Sequence, residues 1–304
     1  MRINKEICLK FIKSQCNAVN LSLRNKTSNN TLTSQQGWVK NKIMHRVIVP
    51  VDFSETSLNA ARFTAQMLAG KKDTIAVLYS NYDHPGDHDV VVGYQESLKK
   101  EFLANGVYNV EYENEMGGDL IENISRLAHT TRATLIVMGI TGKSEIRQAM
   151  FGSNTLKLVD KNLLPVMIIP QDITYKGINN VMFTSDFKDV EATTPSALIS
   201  SVMEIFNPML HIVNVSTHHY VSLTEEIEIG KEAFRKMFSS FKKEFYFLTL
   251  SDFYVAVDTF VKDYNIDLLV TIPKHQSNAI SMFKSSHTKR LAYHSRVPIL
   301  AAHE

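Results

Sequence analysis

Gly139, Gly142, Gly152 and Ser153 are the residues whose types and spacing most clearly imply chemistry. The apolar run Leu135-Ile136-Val137-Met138 ends in Gly139, and Gly142 follows three positions later. After nine intervening residues, Gly152-Ser153-Asn154-Thr155 leads into Leu156, Leu158 and Val159, a pattern that reads as a helix. A buried strand, a glycine-rich loop and a helix start together form a cradle for an anion. Glycines let backbone N–H groups approach phosphate oxygens, and the helix start adds unpaired N–H groups and the positive end of its dipole. Ser153 adds a hydroxyl at the same place. The stretch reads as a nucleotide phosphate site.

Two other phosphate motifs are excluded. Gly142-Lys143-Ser144 ends like a Walker A loop, but that loop needs a glycine where Val137 stands. The dinucleotide fingerprint G-x-G-x-x-G is missing after the first strand, which runs into Pro50-Val51-Asp52-Phe53-Ser54. No base or water-orienting residue for hydrolysis stands out. The loop carrying Asp83, His84, Asp87, His88 and Asp89 lacks structural-zinc spacing and reads as polar surface, as does His218-His219.

The spacing G-x2-G-x9-G-[ST] resembles that of the universal stress proteins, specifically their ATP-binding branch. Pro50-Val51-Asp52-Phe53-Ser54 is similar to the family's opening strand-to-helix turn, and Leu164-Pro165-Val166-Met167-Ile168-Ile169-Pro170 to its last strand. The resemblance implies that Pro50, Val51 and Asp52, with the backbone near Ser80, hold an adenosine. It implies that Gly118 and Met138 complete the nucleoside pocket. Gly139, Gly142, Lys143, Gly152, Ser153, Asn154 and Thr155 would hold the phosphates of ATP (or of AMP or ADP), with a divalent metal such as Mg. From the residues alone, Asp52 also suits a helix-capping carboxylate, and Lys143 a solvated loop lysine.

The elements that must position these residues alternate between strand and helix. Residues 47–51, 74–79, 107–113, 134–138 and 166–169 read as strands. Between them lie helical patterns: one after the N-cap candidate Ser54, one over 94–104, one opened by Gly117-Gly118 and one from 155. Residues 81–89 read as a loop. Strands separated by helices of this length give βαβ units and a parallel sheet.

The order then repeats. Residues 180–187 echo 46–53, and from the fourth strand onward the offset is 133. The expected fold is α/β: two tandem Rossmann-like α/β sandwich domains, each with a five-stranded parallel sheet. The boundaries are an extension at 1–43, a nucleotide-binding domain at 44–170, a linker at 171–177 and a second domain at 178–304. At the 133 offset Gly139 becomes Ile272, Gly142 becomes His275 and Gly152 becomes Ser285, while Ser153 keeps its type as Ser286. Ile272 adds a branched side chain where backbone should approach phosphate, and Pro273 removes a donor. The second domain is expected to keep the fold and lose the nucleotide.

Composition narrows the classes further. The chain has 304 residues and a net charge of +2. Residues 1–43 hold eight Lys/Arg and one Glu, leaving 25 Lys/Arg and 30 Asp/Glu for the rest, a balance of −5. That argues against nucleic acid as a partner. No apolar run reaches the roughly 20 residues of a membrane helix, so no membrane partner is expected. Both cysteines, Cys8 and Cys16, lie in the extension. The extension reads as a weak basic helix over 5–21 and a disordered polar stretch over 25–36, or as sequence upstream of a true start at Met44. The absence of other cysteines fits a reducing cytoplasm.

The expected function is an ATP-binding regulatory protein of the stress response, paired internally as a pseudo-dimer of its two domains, with a homodimer of the chain as a further option. The alternatives are a slow ATPase or phosphotransferase and a nucleotide-free interaction scaffold. Gly139→Val or Gly152→Val should abolish binding under the first two and change nothing under the third.

Overall fold

The computed structural model describes residues 44–140, 153–161, 163–216, 224–250, 252–272 and 295–303. The expectations for residues 1–43, for His218-His219 and for Pro273, His275, Ser285 and Ser286 lie outside them. Lys42–Glu304 forms one compact unit.

The strands of the first half are β1 (His45–Pro50), β2 (Thr74–Tyr82), β3 (Val110–Met116), β4 (Leu135–Ile140) and β5 (Val166–Pro170). Between them run helices α1 (Glu55–Met67), α2 (His88–Ala104), α3 (Leu120–Thr131) and α4 (Ser153–Asp160). The second half contains β6 (Asn180–Thr184), α5 (Val190–Thr193), α6 (Ser196–Met203), β7 (Met209–Ser216), α7 (Glu225–Met237), β8 (Lys243–Thr249), α8 (Phe253–Asp263), β9 (Leu268–Thr271) and β10 (Ile299–Ala301).

The ten strands form one sheet in the order β3-β2-β1-β4-β5-β10-β9-β6-β7-β8. Each half contributes five parallel strands, and β5 meets β10 antiparallel, Ile168 opposite Ile299 and Met167 opposite Leu300. The α/β class and the parallel sheets agree with the sequence reading. Val47 and Val49 face the layer containing α1, α2, α6 and α7, whereas Ile48 faces the layer containing α3, α4 and α8. Both faces are covered, which is why these strands read as unbroken apolar runs.

Several boundaries differ from the sequence reading: β2 runs on to Tyr82 and β3 to Met116, each three residues past the expected end, and the loop expected over 81–89 is shared among the end of β2, a short 3-10 turn at Pro85–Asp87 and the start of α2. Two of the starts have a visible cause. Helix α2 begins at His88, six residues before the expected start, because Val91 extends the buried stripe of Gln95, Leu98 and Phe102. Strand β3 starts three residues late, because buried Val107 instead closes the end of α2, its N–H donating to the Phe102 carbonyl at 3.0 Å.

The halves repeat in local detail. Phe53 and Phe187 both adopt left-handed backbone, φ 59° and 63°. The Oδ1 of the preceding aspartate accepts from the residue after each: Ser54 N–H to Asp52 at 3.0 Å, Lys188 N–H to Asp186 at 3.1 Å. Asp119 and Asp252, 133 apart, cap α3 and α8 through two N–H groups each. Arg132 and Asn265, again 133 apart, follow those helices with φ 52° and 48°. Both close their helix locally, the next residue's N–H donating five residues back at 3.0 Å: Ala133 to Ala128 and Ile266 to Val261.

The β5–β10 seam is buried throughout and joins the halves. Lys71 reinforces the connection, its Nζ donating to the Ile205 carbonyl at 2.7 Å. Ile168→Ala should therefore cost about 2–5 kcal/mol. Chemical denaturation followed by two probes should show a single transition. Two separated transitions would show that the halves unfold independently.

Candidate functional site

The strand order reverses between β1 and β4, since β1 leads on to β2 on one side while β4 and β5 lie on the other. Open α/β sheets bind ligands in the crevice at the carboxyl ends of strands at such a switch point. A cavity of about 510 Å³ lies there, lined by Pro50, Val51, Asp52, Met138, Gly139, Asn154 and Thr155 among others. Seven of the residues expected from the sequence thus share one wall space.

The wall on the β1 side is a rigid turn. Val51 N–H donates to the Tyr79 carbonyl at 2.8 Å, which prolongs the β1–β2 ladder. Asp52 is held by the Ser54 N–H, and Ser54 caps α1 by accepting from Ser57 N–H at 3.3 Å. Burial pushes the Asp52 carboxyl up, but the hydrogen bonds from Ser54 and Ser57 outweigh it and hold the group below the usual carboxylate range. Asp52 stays ionised as the pH falls below that range, and its contribution to stability is lost only as the pH passes the depressed value. Both readings of Asp52 thus meet in one residue: it orders the turn and lines the cavity.

Gly139 has a reason that its spacing did not reveal. A Cβ there would stand 2.4 Å from the Thr56 carbonyl oxygen and 2.6 Å from the Thr56 methyl. Glycine lets the first turn of α1 lie directly on β4. Gly139→Val therefore cannot separate binding from folding, and the test expected from the sequence fails for that residue. Thr155 is likewise a strut, buried, with its hydroxyl donating to the Gly139 carbonyl at 3.0 Å. Asn154, beside it, is exposed.

Ser80 and Gly118 do not reach the cavity surface. Ser80 is buried and its Oγ donates to the Val51 carbonyl at 3.0 Å. Gly118 has φ +79°, and a Cβ there would meet the Asn123 amide at 3.1 Å, so glycine serves the loop before α3. Asn123 Nδ2 ties that loop by donating to the Gly117 carbonyl at 3.0 Å. Gly142, Lys143 and Gly152 lie outside the described residues, as does the side chain of Ser153.

The sequence reading missed Ser54, Glu55, Thr56, Ser57, Tyr79, Asn81, Leu120 and Gln171, which also line the cavity. Ser54 reads as a cap from the sequence, and the strand-to-helix turn is the signal for the three that follow it. Tyr79 is buried, and burial together with nearby Glu115 pushes its hydroxyl up to about 12, so it remains a neutral donor. Asn81, its amide nitrogen turned to the Glu115 and Gly117 carbonyls at 2.9 and 3.0 Å, ties the end of β2 to the loop before α3. Among the described residues no group of three or more His, Cys, Asp and Glu could hold a metal, and no helix is long and apolar enough to cross a membrane.

The second half departs at the corresponding place. Ile272, at the position of Gly139, packs partly buried against the apolar core. Phe187 is fully buried, whereas Phe53 is only half-buried and stacks on Tyr94 at 4.9 Å.

Gly139→Ala should destabilise the chain by about 1–3 kcal/mol through overpacking. A urea midpoint equal to that of the unaltered protein would show that α1 can shift without cost.

The fold is shared with solved proteins. A universal stress protein from Archaeoglobus fulgidus superposes with a TM-score of 0.63 at 16% identity, covering 87% of this chain and 98% of that one. A putative universal stress protein from Pseudomonas aeruginosa gives 0.57 at 13%, covering 86% and 94%. The cytoplasmic domain of a prokaryotic cation chloride cotransporter gives 0.51 at 9%, covering 86% and 96%. No curated protein matches the chain. Residues 44–170, which contain the whole cavity wall except Gln171, match the model of the universal stress protein family.

Proposed function

We propose that this chain is an ATP-binding universal stress protein that regulates a stress response, with the nucleotide held in its first half only. The observation that carries the reading is the cavity of about 510 Å³ at the β1–β4 switch point, within the segment that matches the family. Its size falls within the roughly 300–1,000 Å³ usual for small-ligand sites.

The chemistry of the wall suits a nucleotide in one orientation. Asp52 and Glu55 make the N-terminus of α1 acidic, which disfavours phosphate and favours the hydroxyls of a ribose or an exocyclic amine. The first turn of α4 carries no acid. The N–H groups and dipole of a helix start favour phosphate. Val51, Leu120 and Met138 offer apolar surface to a base. Magnesium would be held chiefly by the phosphates, as is usual for that ion.

The second half serves as a structural copy in this reading. It forms a pseudo-dimer with the first through β5 and β10, and nucleotide acts by favouring one arrangement of the pair. That requires different ATP affinity in the two arrangements. The chain works in the cytoplasm.

Two measurements test the proposal. Nucleotide released from the purified protein by denaturation and identified by mass spectrometry should amount to about one ATP per chain, the expected occupancy when one of two sites persists. An empty protein that also refuses added ATP overturns it, and two per chain overturns the loss of the second site. Asp52→Ala should weaken ATP binding by about tenfold or more in calorimetry, the scale of one charge-assisted hydrogen bond. Unchanged affinity would remove Asp52 from the site.

A further inference from the structure

The first half contains a buried polar residue, Gln95, for which the second half shows no counterpart among the described contacts. Gln95 on α2 is 1% exposed, inside the apolar stripe of that helix. Its Nε2 donates to Ser80 Oγ at 3.1 Å, and Ser80 Oγ donates to the Val51 carbonyl at 3.0 Å. Its Oε1 is buried and has no partner among the described residues. A buried acceptor left unpaired destabilises a protein, so an apolar residue would serve folding better.

The second half makes the same turn by other means. There Asn214 Nδ2 donates to the Ser185 carbonyl at 3.0 Å, the counterpart of the Ser80 contact. Helix α7 then lies directly on the turn: a Cβ on Gly230 would stand 2.5 Å from the Phe187 carbonyl oxygen. The close approach of α7 and the Asn214 bond hold the left-handed Phe187 there without a buried glutamine.

In the first half α2 grips the turn at two points instead. Tyr94 stacks on the Phe53 ring at 4.9 Å, and Gln95 reaches Val51 through Ser80. The helix is itself fixed to β3, since Tyr112 donates its hydroxyl to the Gln95 carbonyl at 3.0 Å. Val51 and Asp52, the residues so held, are cavity wall.

We propose that Gln95 and Ser80 are positioning residues for the ligand site: the pair Gln95–Ser80 sets the orientation of the Val51 peptide, and through it the Asp52 carboxylate that faces the ligand. The proposal rests on the nucleotide reading of the cavity. It predicts a dissociation between stability and binding that an ordinary core residue would not show.

The test compares the full chain with Gln95→Met, which keeps volume and removes the unpaired acceptor, and with the Ser80→Ala/Gln95→Met double variant. Three quantities are measured: thermal midpoint, backbone hydrogen exchange of residues 50–57 without nucleotide, and the Kd for ATP. The expected result is a midpoint equal to or above that of the parent. Exchange should be faster in 50–57 only, and the Kd about tenfold weaker, the effect of one lost orienting hydrogen bond. A lowered midpoint with unchanged exchange in 50–57 and unchanged Kd overturns the proposal and makes Gln95 a core residue. Should the parent bind no ATP, the nucleotide reading falls by itself. The exchange of 50–57 then decides alone: faster exchange supports the positioning role, and unchanged exchange overturns it. Ser80→Ala alone, which breaks the same connection from its other end, decides by the same three readouts if Gln95→Met does not fold.

Discussion

The contact between the first turn of α1 and β4 at Gly139 is the constraint on which the first half depends. Because position 139 has no side chain, the Thr56 backbone lies against the strand, and the N-terminal turn of α1 becomes one wall of the cavity. Thr155 then fastens α4 to the same residue through the Gly139 carbonyl. Two helix starts converge on one strand end, one acidic and one free of acids. A single larger side chain at 139 would push the first wall away from the strand.

The second half shows what the same plan becomes without that requirement. The aspartate, the left-handed phenylalanine, the two capping aspartates and the left-handed residues after α3 and α8 all persist. Ile272 and the buried Phe187 instead add apolar area to the core. The conserved geometry belongs to the sheet and its turns, and the differences concentrate at the strand ends where a ligand would sit. A turn that costs backbone strain is retained because packing on both sides over-determines it.

Much of the fold was legible because its signals are local. Strands covered on both faces betray themselves as apolar runs, and Ser54 announced α1 as a capping residue. What was hidden involved residues doing a second task. The first turn and a half of α2, which opens on His88 and Asp89, reads as part of the polar loop before it. Val107 looked like strand but closes a helix. Gly139 was read as a phosphate glycine, whereas its neighbour Thr56, far away in sequence, supplies a steric reason of its own. Ser80 is expected to lend its backbone to the site; its hydroxyl lies behind the cavity wall, donating to Val51.

The sequence by itself determined the α/β alternation and the turn that opens each half. These follow from side-chain period, caps and short-range conformational preference, each readable within a few residues. The pairing of the halves through the fifth strand of each is an expectation from their exposed apolar runs; only the tertiary structure decided the antiparallel register of β5 on β10, and that seven of the expected residues share a cavity. It also decided which polar residues face that cavity and which brace it from behind. Such outcomes depend on which distant surfaces meet and how closely, and close-packed contacts between residues far apart in the chain leave no periodic trace in it.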